Sequence, residues 1–370
     1  MLIHIVAFDV PFPPDYGGAI DVFFRLKSLY EQGAKIILHC FDYGRGSQDI
    51  LNKYCQEVHY YPRFGAAKML AFKPFIAASR QKKQLLHALL RHDAPIIFEG
   101  IHCCAYLNHA ALAHRKKWVR IQNIEQIYYK KLAEVEPNVF KKIFLNVESY
   151  KIKHYEKQLG FATGLLTISA EDQLYYEKMH KNAVFLPAFH QNNCITAKTG
   201  RGDYVLYHGN LSVGENTRAA EYILKNIVPT LPQIKFIFAG KNPTSSLKNL
   251  IGKHTNAQLT PNPTQDAMAQ LVQNAHIHLL LTFQATGVKL KVLAALHSGR
   301  HCIANEQVVA GSGLEPLCVI ANSPADMRTQ ILRLMPLSLL PETIAAREKL
   351  LQKLYSNEIN AQNLLKLLAM

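Results

Sequence analysis

The chain has 370 residues, 42 Lys and Arg against 27 Asp and Glu, and a formal charge of +15 at pH 7. That length is long for one core and comfortable for two, and a hydrophobic share of 49% fits an ordinary soluble globular protein. Seven scattered cysteines fit reduced thiols and argue against a disulfide framework, and no apolar run approaches the ~18 residues of a membrane-spanning helix.

The opening, MLIHIVAFDV, carries neither a basic leader nor a small-residue cleavage site. It reads as a buried strand, Leu2 to Phe8, of a cytoplasmic protein. The turn PFPPDYGG follows, and its adjacent Gly17 and Gly18 allow close approach of backbone to a ligand. Val22, Leu26 and Leu29 then recur at helical spacing, Gly33 closes the helix, and Lys35 to Phe41 is the next strand. The turn is neither GxGxxG nor a Walker loop, so dinucleotide-redox and P-loop readings lack support.

Further strands are expected at Pro95–Glu99, Trp118–Ile121, Gly164–Ile168 and Val184–Leu186. A polar stretch, NNCITAKTGRGD from Asn192 to Asp203, suits an interdomain linker. Beyond it, strands are expected at Tyr204–Tyr207, Ile234–Ala239, His276–Leu281, Arg300–Ala304 and Cys318–Ile320, with helical patterns between them. Such alternation implies a parallel sheet with helices on both faces, and here it occurs twice. The expectation is α/β, with two Rossmann-like doubly wound domains facing a cleft: residues 1–198, residues 199–354, and a helix from about 355 to 370 packing back on the first.

The segment TGVKLKVLAALHSGRHCI, Thr286 to Ile303, reads as turn, helix and strand after an apolar strand. Its turn presents backbone N–H groups and a helix N-terminus, where phosphate is a common guest. His102 stands at the end of the strand before it, facing the expected cleft, where an imidazole hydrogen-bonds a sugar or exchanges a proton. Glu99 is the adjacent alternative. Cys103 and Cys104 follow His102 with no second pair and no C-x-x-C, so no metal site is expected. The basic residues are spread out and lack a nucleic-acid-binding motif, which excludes that partner. Their densest cluster, Lys130 to Lys157, is interleaved with Phe140, Ile143, Phe144, Tyr150 and Tyr155. It reads either as a solvated helix face or as a basic amphipathic surface lying on an anionic membrane.

In this order and spacing the segments resemble the GT-B glycosyltransferases of the group 1, or family 4, type. The resemblance rests on PPDYGGAIDVFFRLKSLYEQGAKI, on Arg120-Ile-Gln-Asn-Ile-Glu125, on Thr167-Ile-Ser-Ala-Glu-Asp172, on Tyr207-His-Gly-Asn-Leu211, on Phe238-Ala-Gly-Lys241 and on the Gly287-to-Gly299 stretch. It implies retaining, metal-independent transfer from a nucleoside diphosphate sugar, with no other cofactor, to a glycan or lipid-linked acceptor in cell-surface polysaccharide or lipopolysaccharide synthesis. It further implies donor-phosphate contacts at Gly17, Gly18, Lys241, Thr286, Gly287, Val288 and Lys289, and nucleotide contacts at Gly209, Asn210 and Lys291. Arg120, Asn123 and Glu125 are then expected in the acceptor pocket, and His102 and Glu99 at the chemistry. The departures are specific: Thr286 and Ala294 stand where the family has two glutamates, Gln122 where histidine is common, and Glu215 where a basic residue is usual. They leave open a non-catalytic scaffold or a sugar-nucleotide epimerase of the same architecture.

Overall fold

The computed structural model describes residues 1–283 and 289–370, which form two compact units, Met1–Gln191 with Asn357–Met370, and Asn192–Ser356. The first holds β1 (Leu2–Ala7), β2 (Lys35–Asp42), β3 (Glu57–Pro62), β4 (Ile96–Glu99), β5 (Lys117–Ile121), β6 (Gly164–Thr167) and β7 (Ala183–Phe185). They make one seven-stranded sheet in the order β3-β2-β1-β4-β5-β6-β7, with every pair parallel. The second unit holds β8 (Tyr204–His208), β9 (Lys235–Gly240), β10 (Ala257–Pro261), β11 (Ile277–Leu280), β12 (His301–Ala304) and β13 (Val319–Ile320). These form a six-stranded sheet, again all parallel, in the order β10-β9-β8-β11-β12-β13.

Strand alternation places the two faces of each sheet in separate cores. In β1, Ile3, Ile5 and Ala7 pack with Val22, Leu26 and Leu29 of the helix Gly17–Glu31, while Val6 joins the core on the opposite face. Two strands have no counterpart in the pattern read above, β3 and β10. Both are edge strands, both end in proline, and both mix polar with apolar residues, so they lack the continuous apolar run of a buried strand.

The segment 192–203 is not a free tether. Thr196 and Ala197 donate backbone N–H groups to the His297 carbonyl at 2.8 and 3.0 Å, Gly202 donates to His276, and Gly200 bridges Leu339. With its backbone bonded to residues of the second unit it belongs to that unit, and the boundary falls at 191/192 instead of 198/199. The C-terminal helical stretch is likewise two helices, Pro341–Tyr355 in the second unit and Asn357–Ala369 in the first, separated by an extended Ser356. Ala361, Leu364 and Leu368 bury against Ile3, Leu26 and Ile36. The Asn357 side chain accepts from the backbone N–H of His190 at 3.2 Å and donates to its carbonyl at 2.6 Å, so both chain crossings are fastened at one point.

Inside the first unit lies a charge network without solvent exposure. Asp21, on the first helix, accepts from Arg25 at 3.1 Å, from Arg120 of β5 at 2.9 and 3.0 Å, and from the backbone N–H of Phe189 at 2.9 Å. Arg25 also pairs with Glu99 of β4, and Arg120 donates to the carbonyls of Leu186 and Pro187. Burial pushes the Asp21 carboxyl upward, but Arg120 and Arg25 outweigh it and hold it below its ordinary value. Replacing Asp21 with alanine leaves two buried guanidinium groups short of an anion, and should destabilise the first unit by about 3–5 kcal/mol. Trp118, the only tryptophan and buried in that unit, reports the transition in urea unfolding. A shift of the midpoint within error of zero would show that the network is dispensable.

Candidate functional site

In each sheet the strand order reverses once, between β1 and β4 and between β8 and β11. Chain segments leaving the carboxyl ends of those neighbouring strands diverge to opposite faces, and the crevice between them is where open α/β sheets bind ligands. A groove lined by Pro232, Gln233, Lys235, Thr255 and Gln258 lies at the opposite edge, at the amino ends of β9 and β10, away from that chemistry.

In the second unit the crevice is lined by the turn after β8, the turn after β9, the start of helix Gly214–Asn226 and the approach to helix Leu290–Ser298. Gly209 donates to the Ala239 carbonyl at 3.1 Å, and its own carbonyl lies against Gly240, where an added Cβ would sit 1.7 Å from it. No other residue fits at 240, and this contact locks the two turns together. Asn210 caps its own turn, accepting from the Ser212 N–H and hydroxyl, while its carbonyl accepts from Asn216 at 3.0 Å. Lys241 is exposed at the end of β9, and its carbonyl accepts from the Leu211 N–H at 2.9 Å.

Two lysines and a carboxylate meet beside these turns. Lys289 reaches Glu215 at 3.1 Å, and Glu215 also accepts from the Thr282 hydroxyl. Thr282 is held by Asn305, which accepts from its N–H at 3.1 Å and donates to its carbonyl at 2.7 Å. Lys291 lies 5.0 Å over the Tyr207 ring and contacts the Asn216 side chain and the Leu281 carbonyl, each at 3.4 Å. Burial lowers the Lys291 pKa to about 8, partly restored by Glu215 and lowered further by Lys289. Lys289 immediately precedes the helix, which begins at Leu290, as its capping residue. Thr286, Gly287 and Val288 lie outside the described residues.

In the first unit, Gly17 and Gly18 open the helix that follows β1. A Cβ on Gly18 would meet the Phe8 ring at 2.6 Å and the Gln122 side-chain oxygen at 3.0 Å, whereas Gly17 faces open space. His102 follows β4, its ring 5.5 Å from Phe8 and its Nδ1 without a hydrogen-bond partner among the described residues. Burial, then the charges of Arg80 and Arg63, lower its pKa to about 3. That keeps the imidazole neutral at pH 7 and able to hydrogen-bond. Two expectations are corrected. Glu99 is wholly buried against Arg25, and Arg120 is wholly buried against Asp21, so neither is open to a substrate.

Asn123 and Glu125 are placed differently. They follow β5 at the sheet's carboxyl edge, with Asn123 hydrogen-bonded to Glu125. Burial raises the Glu125 pKa to about 7, against the Asn123 bond that lowers it, and Glu156 and Asp172 add repulsion. Arg80 was not legible in the sequence. It is buried, donates to the carbonyls of Phe8 at 3.0 Å and Ile76 at 2.7 Å, and its charge acts on both His102 and Glu125. It sits in an irregular loop with no motif around it, so only the fold reveals it. Among the described residues no group of three His, Cys, Asp or Glu is placed to hold a metal ion.

Two doubly wound parallel sheets with these crevices define the GT-B fold, that of a large class of glycosyltransferases. Residues 202–336, within the second unit, match the family model described as "Glycosyl transferases group 1". TarM of S. aureus has a similar structure, with a TM-score of 0.69 and 11% identity, covering 100% of this chain and 99% of that one. So has the E. coli protein described as "Trehalose-6-phosphate from E. coli bound with UDP-2-fluoro glucose", with a TM-score of 0.62, 10% identity and coverage of 100% and 99%. In sequence, the chain is 26% identical over 340 residues to an "Uncharacterized 44.6 kDa protein in cps region" of Klebsiella pneumoniae, covering 84% of each.

Glu125 provides a pH test of the first unit. Its ordinary pKa is 4.5 and its folded value is about 7. Below pH 4.5 both states hold the proton and nothing is lost; as pH rises from there to 7 only the unfolded chain releases it, so stability falls across that window. Glu125→Gln should therefore be close to neutral at pH 4.5 and stabilising by about 1–3 kcal/mol at pH 8. Equal effects at the two pH values, by urea unfolding of Trp118, would place the carboxyl in contact with water.

Proposed function

We propose that the chain transfers a sugar from a nucleoside diphosphate sugar to a glycan or lipid-linked acceptor, with the second unit binding the donor and the first binding the acceptor. The carrying observation is the meeting of Lys289 and Lys291 around Glu215 beside the turns of the second unit's crevice, with Lys241 at the end of β9 on the same sheet edge, all within the family-matched residues. A departing diphosphate gathers negative charge, and cations held away from bulk water stabilise it most strongly. Lys291 meets that requirement best, because Tyr207, Asn216 and the Leu281 carbonyl fix it before the ligand arrives. Glu215 competes with the phosphates for Lys289. Gly209 and Asn210 present turn backbone to the nucleotide.

On the first unit, Gly17 and Gly18 leave backbone open at the N-terminus of helix Gly17–Glu31, neutral His102 hydrogen-bonds a sugar hydroxyl, and Asn123 and Glu125 border the acceptor. Glu125, with a pKa near 7, takes the proton-handling part that Glu99 cannot. We read the transfer as hexosyl, retaining and independent of metal. The E. coli neighbour's bound UDP sugar supports the donor class, and the Klebsiella relative's cps region supports a place in cell-surface polysaccharide synthesis. We set the reaction in the cytoplasm at the inner membrane face, where a chain of charge +15 is drawn to anionic lipid. No helix among the described residues is long and apolar enough to cross the membrane.

Calorimetry with UDP tests the donor site. Lys291→Met should weaken binding by about 1–3 kcal/mol, the scale of a charge-assisted hydrogen bond, and Glu215→Gln should tighten it by freeing Lys289. Lys291 is charged below pH 8, so affinity should stay level up to about pH 8 and fall above it, and the fall should vanish in Lys291→Met. Unchanged affinity in the lysine variant would leave Lys291 a structural charge. UDP binding with no transfer from any UDP sugar across a panel of acceptors would favour a scaffold, and release of a free epimer would favour an epimerase.

A further inference from the structure

The helix Val139–Tyr155 buries Glu148, Ile152 and Tyr155. On its other side Phe140, Ile143, Val147 and Tyr150, spaced by three, four and three, form a second apolar stripe facing solvent. Phe140 is 83% exposed and Tyr150 66%. Lys142 and Lys153 stand exposed beside the stripe, and the helix's one carboxylate, Glu148, is fully buried. The neighbouring loop repeats the composition. Leu70 and Phe72 are 93% and fully exposed among Lys68, Lys73 and Arg63, with no acid from 63 to 73. Lys151 donates to the Met69 carbonyl at 3.1 Å and Glu148 accepts from the Phe75 N–H, which ties this loop to the helix. All of these residues belong to the first unit.

We propose that the helix stripe Phe140–Ile143–Val147–Tyr150 and the loop residues Leu70 and Phe72 form one docking face for an anionic lipid bilayer. It gives residues to the membrane-face setting proposed above, and it stands or falls separately from the donor site. Charge complementarity selects the occupant. Apolar side chains flanked by lysines, on a helix and a loop that themselves expose no acid, match an acyl boundary beneath anionic headgroups, with Glu134 and Glu136 lying before the helix starts. A second copy of this chain would bring the same lysines against themselves, with no carboxylate of the helix or loop to meet them.

Co-sedimentation of the full chain with phosphatidylglycerol vesicles and with phosphatidylcholine vesicles tests this. Binding is expected to the first and not the second, and it should weaken as salt rises. Phe72→Ser with Phe140→Ser should weaken binding about tenfold or more, the scale of withdrawing one buried aromatic side chain. Lys142→Gln and Lys153→Gln should each weaken it about fivefold and flatten the salt dependence. Because all four positions are exposed, UDP affinity and Trp118-monitored stability should not change. Wild-type protein left in the supernatant with phosphatidylglycerol, or serine variants that bind as well as wild type, would overturn the face while leaving the donor reading intact. Concentration-dependent dimerisation abolished by the serine variants, without vesicle binding, would overturn it in favour of self-association. Lost UDP binding beside intact vesicle binding would overturn the donor site alone.

Discussion

The first unit depends on Asp21. A carboxylate cut off from water is costly unless cations and N–H groups surround it, and here Arg25, Arg120 and the Phe189 N–H do so. The consequence is geometric. One group fixes the first helix to β5, through Arg25 to β4, and through Phe189 to the segment where the chain leaves the unit. Gly18 lies on the helix that carries Asp21, and the segments bearing His102 and Asn123 start from β4 and β5, which the same network holds. The candidate acceptor side therefore borrows its rigidity from charges that never touch a ligand.

The second unit uses opposite means. Its crevice is held by neutral contacts, the Gly209 carbonyl against Gly240, Asn305 around Thr282 and Asn216 against Asn210. Of the charges there, Glu215 and Lys289 are only partly buried. Ions at such positions can change partners at modest cost, which suits a place where an anionic ligand comes and goes. Glu215, standing where the resembled family has a basic residue, meets Lys289 and lowers the positive charge of the crevice.

How legible the candidate site was in the sequence differs by residue. Lys241, Lys289 and Lys291 lie next to strand ends and glycine turns, so local pattern alone brought them to one sheet edge. Glu99 and Arg120 occupy equally suggestive places, yet both are spent on the buried network. Whether a charged side chain at a strand end turns inward depends on partners about 74 and 99 residues away in the chain, and no local pattern carries that. Arg80 is the converse, silent in sequence and central in space.

The sequence by itself determined the alternation of strands and helices, the two-unit plan and the strands buried on both faces, because a doubly covered parallel strand must be apolar along its whole length. It did not determine the edge strands β3 and β10, whose exposed sides break that rule, nor the unit boundary, since 192–203 is polar like a tether but spends backbone hydrogen bonds on residues of the second unit. Only the tertiary structure decided the protonation of the site. His102 and Glu125 have ordinary side chains, but burial drives one to a pKa of about 3 and the other to about 7. Desolvation is a property of what packs around a group, and that is settled only when distant segments meet.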